Sequence, residues 1–308
     1  MSLAIPIVMY HYVRDLSLSR FPQIKGLDIR QFRNQLNFFR KNYTVVHHDQ
    51  VCAHIFDGED LPKNAIMLSF DDGYADHYQF VFPILDDFKM SACFFPPVQA
   101  ILEHRVLDVN KIHFILASTD DHKSLLQSAF DWVGKNSTID LAKIKGEYFV
   151  PNRYDGPEVN CFKRLLQKCL PLELRQMLVD ILFKQYVSKD EKSFAAELYL
   201  SVDQLKCMQR NGMTIGSHGY SHCWMDTLPK EEQESEVLES IKFLSLLGVS
   251  KERWSICYPY GAHNQSLREI AFAHGAQLGF TTVPEPALLT RENALMLSRL
   301  DTNDFPKD

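Results

Sequence analysis

The sequence predicts an α/β fold in which short parallel strands alternate with helices and a mainly helical insertion interrupts the alternation. Three observations carry this. Apolar runs alternate with helical periodicity through about the first hundred residues, the alternation resumes after about residue 200, and between them the strand signal disappears. With 308 residues, 45% of them hydrophobic, the chain has the length of one α/β barrel and enough apolar surface for a large core. We expect one domain over residues 1–308 with a helical insertion at about 118–200.

The first strand is read at Ile5–Tyr10, with Met1–Leu3 taken as a cloning remnant ahead of it. Further strands are expected at Tyr43–Val46, Ala65–Phe70 and Ala92–Phe95. Asp28 is placed to cap a helix from Ile29 to about Lys41 that turns Phe32, Leu36 and Phe39 to one side, and Ala75–Phe88 makes a second helix. In the insertion, Leu125, Leu126, Phe130 and Val133 follow helical spacing, as do Leu178, Ile181 and Leu182. Ser201 as N-cap and Gly212 beyond the C-terminus then frame a helix with Leu205 and Met208 inward. Strands at Met213–Ser217, Ser255–Tyr258 and Leu278–Thr282 enclose two helices, Pro229–Leu247 closed by Gly248 and Ser266–His274 closed by Gly275.

Composition excludes some functions. The 33 basic and 39 acidic residues leave a net charge of −6, and no basic run is present to neutralise a row of phosphates, so nucleic acid is not expected as a partner. No window approaches the ~18 apolar residues of a membrane span. The seven cysteines form no C-x-x-C pair, which fits reduced thiols, and no signal peptide is visible; a cytoplasmic location is the expectation.

Three polar clusters follow separate strands: Asp71-Asp72-Gly73, His218 to His222, and Pro259-Tyr260-Gly261. In a parallel barrel these are C-terminal strand ends, where active sites assemble. Adjacent carboxylates raise each other's pKa unless a cation or hydrogen bonds relieve them, and a divalent metal does so. Side chains of successive residues diverge, so one aspartate can bind metal while the other handles a proton. His218 and His222 are four apart, and on a helical turn both rings would face one way. Two histidines, one aspartate and an open position form a catalytic zinc ligand set. Singly, each cluster reads as a turn or as unrelated histidines; after three strands of one alternation, coincidence is the weaker explanation.

These segments resemble the NodB-type polysaccharide deacetylases. Leu68-Ser69-Phe70-Asp71-Asp72-Gly73-Tyr74 is similar to the family's first motif, Gly216 to His222 to its histidine motif, and Tyr258-Pro259-Tyr260-Gly261 to its third. Val8-Met9-Tyr10-His11 and Ala92-Cys93-Phe94-Phe95 also resemble family strands, and the likeness covers about residues 5–100 and 200–300. The resemblance implies a distorted, incomplete (β/α) barrel that is a metal-dependent hydrolase of N-acetyl groups on an amino sugar or polysaccharide. It implies Asp71 as catalytic base, Asp72, His218 and His222 as ligands of a divalent metal, zinc foremost, and the Tyr260 N–H as oxyanion donor.

Two departures stand out. Cys257 occupies the place where many members carry an arginine that orients the catalytic aspartate, and Arg299 is the candidate substitute. The late Leu-x-His that usually supplies the general acid is absent after residue 261, which leaves His263, with Asp301 as a carboxylate to favour its charge, and His11 as candidates. Tyr220, Trp224 and Tyr74 flank the motifs and either stack on a sugar ring or pack the barrel. The alternatives are a hydrolase of another amide or an O-acetyl ester, and a carbohydrate-binding protein without turnover.

Overall fold

The computed structural model describes residues 3–308; Met1 and Ser2, and with them most of the remnant read at Met1–Leu3, lie outside the described residues. Two compact units form. One comprises the chain up to Asp15, Gly26–Arg105 and Ala195–Asp308, and the other Leu16–Lys25 and Val106–Phe194.

The first unit is α/β. Its principal strands are β1 (Ile7–Tyr10), β2 (Ala65–Asp71), β3 (Cys93–Phe95), β4 (Thr214–Ile215), β5 (Trp254–Cys257), β6 (Ala276–Phe280) and β7 (Leu300–Asp301). Strands β7, β1, β2, β3 and β4 pair in that order, all parallel, and Thr44–Val45 adds beside β2. A second parallel pair joins β5 and β6. Single bridges link Ser217 to Ile256 and Phe280 to Leu297, so pairing passes from the end of β4 to β5 and from β6 to the residues ahead of β7.

Register explains which side chains reach the site. Tyr10, Phe70 and Phe94 stand opposite one another and stack at 4.7 and 4.9 Å, on the face that receives Phe32 of the helix Ile29–Asn42. The other face carries Ile7, Met67, Cys93 and Phe95, which join Cys257, Leu278 and Phe280 in one apolar cluster. Every residue of β2 is buried, as a central parallel strand requires. Because side chains alternate, Met67, Ser69 and Asp71 share the inward face, and Asp71 emerges where that core ends.

Asp28 caps its helix as expected, Ser201 closes a capping box, and Gly248 ends Lys230–Leu247 in the left-handed conformation. Elsewhere the sequence expectation needed correction. The helix placed at Ala75–Phe88 is broken into a π turn, His77–Val81, followed by Phe82–Phe88. Pro83 lacks the N–H that a continuous α-helix would use there. The helix at His48–Asp57 went unanticipated; His47 and Gln50 form its capping box.

The second unit consists of helices, and the helical region starts earlier than residue 118, at Asp108–Ala117. Leu125, Leu126, Ala129 and Val133 are buried along His122–Asn136. On Leu172–Tyr186 the buried set is Leu178, Val179, Leu182 and Phe183, whereas Ile181, which shares the helical spacing of Leu178 and Leu182, is exposed. Lys111 is fully buried and held by Asp180 at 2.6 Å and Glu191 at 2.9 Å, partners that a buried ammonium requires. No helix among the described residues is long and apolar enough to cross a membrane.

Candidate active site

Asp71 is fixed by a buried arginine. Arg299, immediately ahead of β7, donates from Nη1 to Asp71 Oδ1 and from Nη2 to Asp71 Oδ2, each at 2.8 Å. Its remaining donors reach Ser69 Oγ at 3.1 Å and the Thr281 carbonyl at 2.9 Å. Cys257 Sγ lies 3.4 Å from Asp71 Oδ1. Burial pushes the Asp71 pKa up, but the Arg299 guanidinium outweighs it together with His218 and His11, and the carboxyl sits at about 2. Arg299 thus meets the aspartate that the family arginine would orient, and Cys257 fills the usual arginine position.

Asp72 turns the opposite way. It leaves β2 with φ 69°, followed by Gly73 with φ 63°; a Cβ on Gly73 would stand 2.6 Å from the Pro96 Cβ, so this reversal needs glycine. Asp72 Oδ1 then lies 3.4 Å from His218 Nε2 and 3.2 Å from His222 Nε2. The His-x-x-x-His segment is not the helical turn its spacing suggested: Gly219 and His222 have φ of 73° and 56°, and these reversals bring the rings to 4.8 Å. Among the described residues, three of the five non-glycine residues with positive φ, Asp72, His222 and Tyr260, belong to this site. Strain of this kind persists where the surroundings enforce it.

The donor set suits a cation. One ligand atom from each of Asp72, His218 and His222 lies within 4.8 Å of the others. Asp72 Oδ2 accepts from the Tyr74 hydroxyl, but Oδ1 is buried without a hydrogen-bond partner. His218 Nδ1 contacts the Cys257 carbonyl at 2.7 Å; a carbonyl only accepts, so Nδ1 carries a proton and Nε2 is the nitrogen that faces Asp72 and, once deprotonated, can ligate an ion. Burial disfavours charge on both rings. It prevails at His222, whose pKa lies below the ordinary histidine value, while at His218 Cys257 and Asp72 outweigh it and the pKa lies above.

Around this triangle, Tyr260 adopts φ 60° within Pro259–Gly261. Its ring stacks on Trp224 at 4.4 Å and touches His222 at 4.9 Å. His11 Nε2 lies 4.0 Å from Asp71 Oδ2, with its side chain 42% exposed. His263 does not join the group: its Nδ1 meets Arg268 Nη1 at 2.7 Å and its ring lies against Tyr258. Burial and then Arg268 lower its pKa. Asp301, expected to favour charge on His263, instead caps the turn Thr302–Asp304. Tyr74 is buried and stacked on Tyr12 at 4.0 Å, which makes it packing and a partner of Asp72.

The polysaccharide deacetylase family profile matches residues 58–129 and 183–279, more than half of the chain. The chain belongs to the polysaccharide deacetylase family. Within it, YxkH of Bacillus subtilis (strain 168), which carries the polysaccharide deacetylase name, is 30% identical over 104 residues, 34% of this chain and 36% of that one. Poly-β-1,6-N-acetyl-D-glucosamine N-deacetylase of Escherichia coli (strain K12) is 34% identical over 91 residues, 29% of this chain and 13% of that one. The chain therefore matches well under half the length of either relative. Among solved structures, Streptococcus pyogenes deacetylase PplD, in complex with acetate, aligns with a TM-score of 0.60 at 18% identity over 98% of this chain and 93% of that one. IcaB from Ammonifex degensii aligns at 0.57 and 17%, with the same coverages. At these identities the likeness is one of fold.

Two contacts of this deacetylase-family site lie beyond what the sequence shows, the bond of Tyr74 to Asp72 and the bonds of Glu236 to the histidine loop. Tyr74 stands in the first motif, but its bond to Asp72 depends on the turn at Gly73. Glu236 lies in the acidic helix Lys230–Leu247, where it resembles any solvent-facing charge. Its carboxylate accepts from the backbone N–H groups of Tyr220 and Ser221.

Proposed function

We propose that this protein removes N-acetyl groups from an amino sugar or polysaccharide, releasing acetate and leaving the free amine. The observation that carries the reading is the convergence of Asp72 Oδ1 with the Nε2 atoms of His218 and His222 beside an Asp71 clamped by Arg299. Asp72, His218 and His222 would hold one divalent ion, and the two-nitrogen, one-oxygen donor set favours zinc. Such an ion supplies Lewis acidity to the attacking water and the acetyl carbonyl. Asp71, kept ionised by Arg299, accepts the proton of the water as it attacks. The Tyr260 N–H, set by its left-handed backbone, donates to the carbonyl oxygen as negative charge develops there. The amine leaves with a proton from His11, whose Nε2 lies 4.0 Å from Asp71 Oδ2, whereas His263 is engaged by Arg268. Trp224 and Tyr260 offer stacked aromatic surface beside the site for a sugar ring.

In this reading residues 1–308 act as one catalytic domain, and the helices inserted at about 118–200 are an elaboration of it. The bridges Ser217–Ile256 and Phe280–Leu297 support the view that the strands curve into a distorted, incomplete barrel. Metal content followed by acetate release from N-acetylglucosamine oligomers tests the proposal. Stoichiometric zinc with acetate release is expected; zinc-free protein that releases no acetate after zinc is added would refute it.

A further inference from the structure

We infer that Glu236 is a positioning residue for the histidine loop, holding the backbone between His218 and His222 in the bend that aims both rings at Asp72. The inference rests on the metal reading above and extends it to a residue outside the motifs. Oε2 of Glu236 accepts from the Tyr220 N–H at 2.8 Å and from the Ser221 N–H at 3.0 Å, and Oε1 accepts from Ser221 Oγ at 2.6 Å. The loop's carbonyls are held from the other side, Gly219 by the Val98 N–H at 3.2 Å and Tyr220 by the Gln99 N–H at 2.9 Å. One turn earlier on the same helix, Gln233 Nε2 donates to the carbonyls of Met225 and Leu228, each at 3.1 Å. Residues three apart share a helix face, so one helix holds both the loop and the turn that follows it.

The need for such a clamp follows from the backbone. The loop contains two left-handed residues, Gly219 and His222, and no helix or strand ladder satisfies its N–H groups. A single carboxylate that accepts three hydrogen bonds makes this bend the preferred one, since bonds to an ionised acceptor are the stronger kind. Glu236 touches neither Asp72 nor the histidine rings in these contacts; it acts through the peptide that joins them. Groups that orient metal ligands typically contribute about 10- to 100-fold to metal affinity.

The test is zinc affinity of the purified full chain by competition with a chromophoric chelator, alongside the melting temperature of chelator-stripped protein. Glu236→Ala is expected to bind zinc about 10- to 100-fold more weakly while its stripped form melts close to wild type. Glu236→Gln should bind more tightly than Glu236→Ala, because its amide oxygen still accepts both N–H groups and its NH2 can donate to Ser221 Oγ. Wild-type affinity in Glu236→Ala, or equal losses in the two variants, overturns the inference. If Glu236→Ala does not fold, Glu236→Asp carries the test: it keeps the charge on a side chain too short to span the loop, so weakened binding is expected and unchanged binding refutes the role. A wild-type protein that binds no zinc would remove the metal reading itself, so the two failures are distinguishable.

Discussion

Arg299 and Asp71 are 228 positions apart, and their pairing shows what single residues reveal before the chain is folded. Asp71, Asp72, His218 and His222 stand in motifs whose order and spacing mark them. Arg299 is legible only as a candidate, because its partner depends on β7 lying beside β1 and on Ser69 and Asp71 sharing one face of β2. Arg299→Met should leave a buried carboxylate without its counter-charge, a change that costs about 3–5 kcal/mol when one member of a buried pair is removed. Urea denaturation is expected to show that loss, with acetate release reduced as Asp71 loses its orientation; unchanged stability and turnover would mean that the pair is dispensable. The proton donor makes a second residue-scale test. His11→Ala should lose kcat on acetamides yet hydrolyse an aryl acetate ester almost normally, since that leaving group needs no proton. His263→Ala should show no such dependence on the leaving group. The reverse pattern would move the acid to His263.

Elements were legible wherever local rules agree with the fold. Asp28, Ser201 and Gly248 terminate helices as their side-chain and backbone chemistry dictates. The π turn at His77–Val81 was not legible, because periodicity does not register one extra residue per turn. Ile181 shares the spacing of Leu178 and Leu182 yet is exposed, because Val179 and Phe183 complete the buried stripe of Leu172–Tyr186. The second unit depends also on polar anchors that periodicity ignores. Asp155 accepts from Lys25 Nζ at 2.6 Å and Lys163 Nζ at 2.8 Å. Burial raises its pKa, but the bonds to Lys163 and Lys25 prevail and hold it below the ordinary aspartate value. A carboxylate depressed in the folded state stabilises above its unfolded pKa, and that contribution is lost as pH falls through the folded one. Wild type should therefore melt above Asp155→Asn near neutral pH, with the gap narrowing as pH drops below about 4. A constant gap would show that packing, not charge, accounts for the difference.

Across the whole molecule, the first unit is assembled from separate stretches of chain with the second unit's segments between them. Alternating strands and helices announced the first unit, and the loss of alternation announced helices. The unit boundary at Val106 falls between two short helices, Val98–Leu102 and Asp108–Ala117, with no change of element type to mark it. The proposed metal ligands come from different stretches, Asp72 from the one that ends at Arg105, and His218 and His222 from the one that begins at Ala195. An ion bound by all three ties these stretches together in the folded state alone, so it should stabilise the protein by mass action. At a free zinc concentration 100 times Kd the gain is about 2.7 kcal/mol, visible as a higher melting temperature that EDTA reverses. Asp71→Asn should keep this zinc-dependent rise while losing turnover, since Asp71 is asked to move a proton and not to bind the ion. His222→Ala and Asp72→Ala should melt at the same temperature with or without zinc. A zinc-dependent rise that survives in His222→Ala would place the ion elsewhere, and loss of the rise in Asp71→Asn would exchange the roles assigned to the two aspartates.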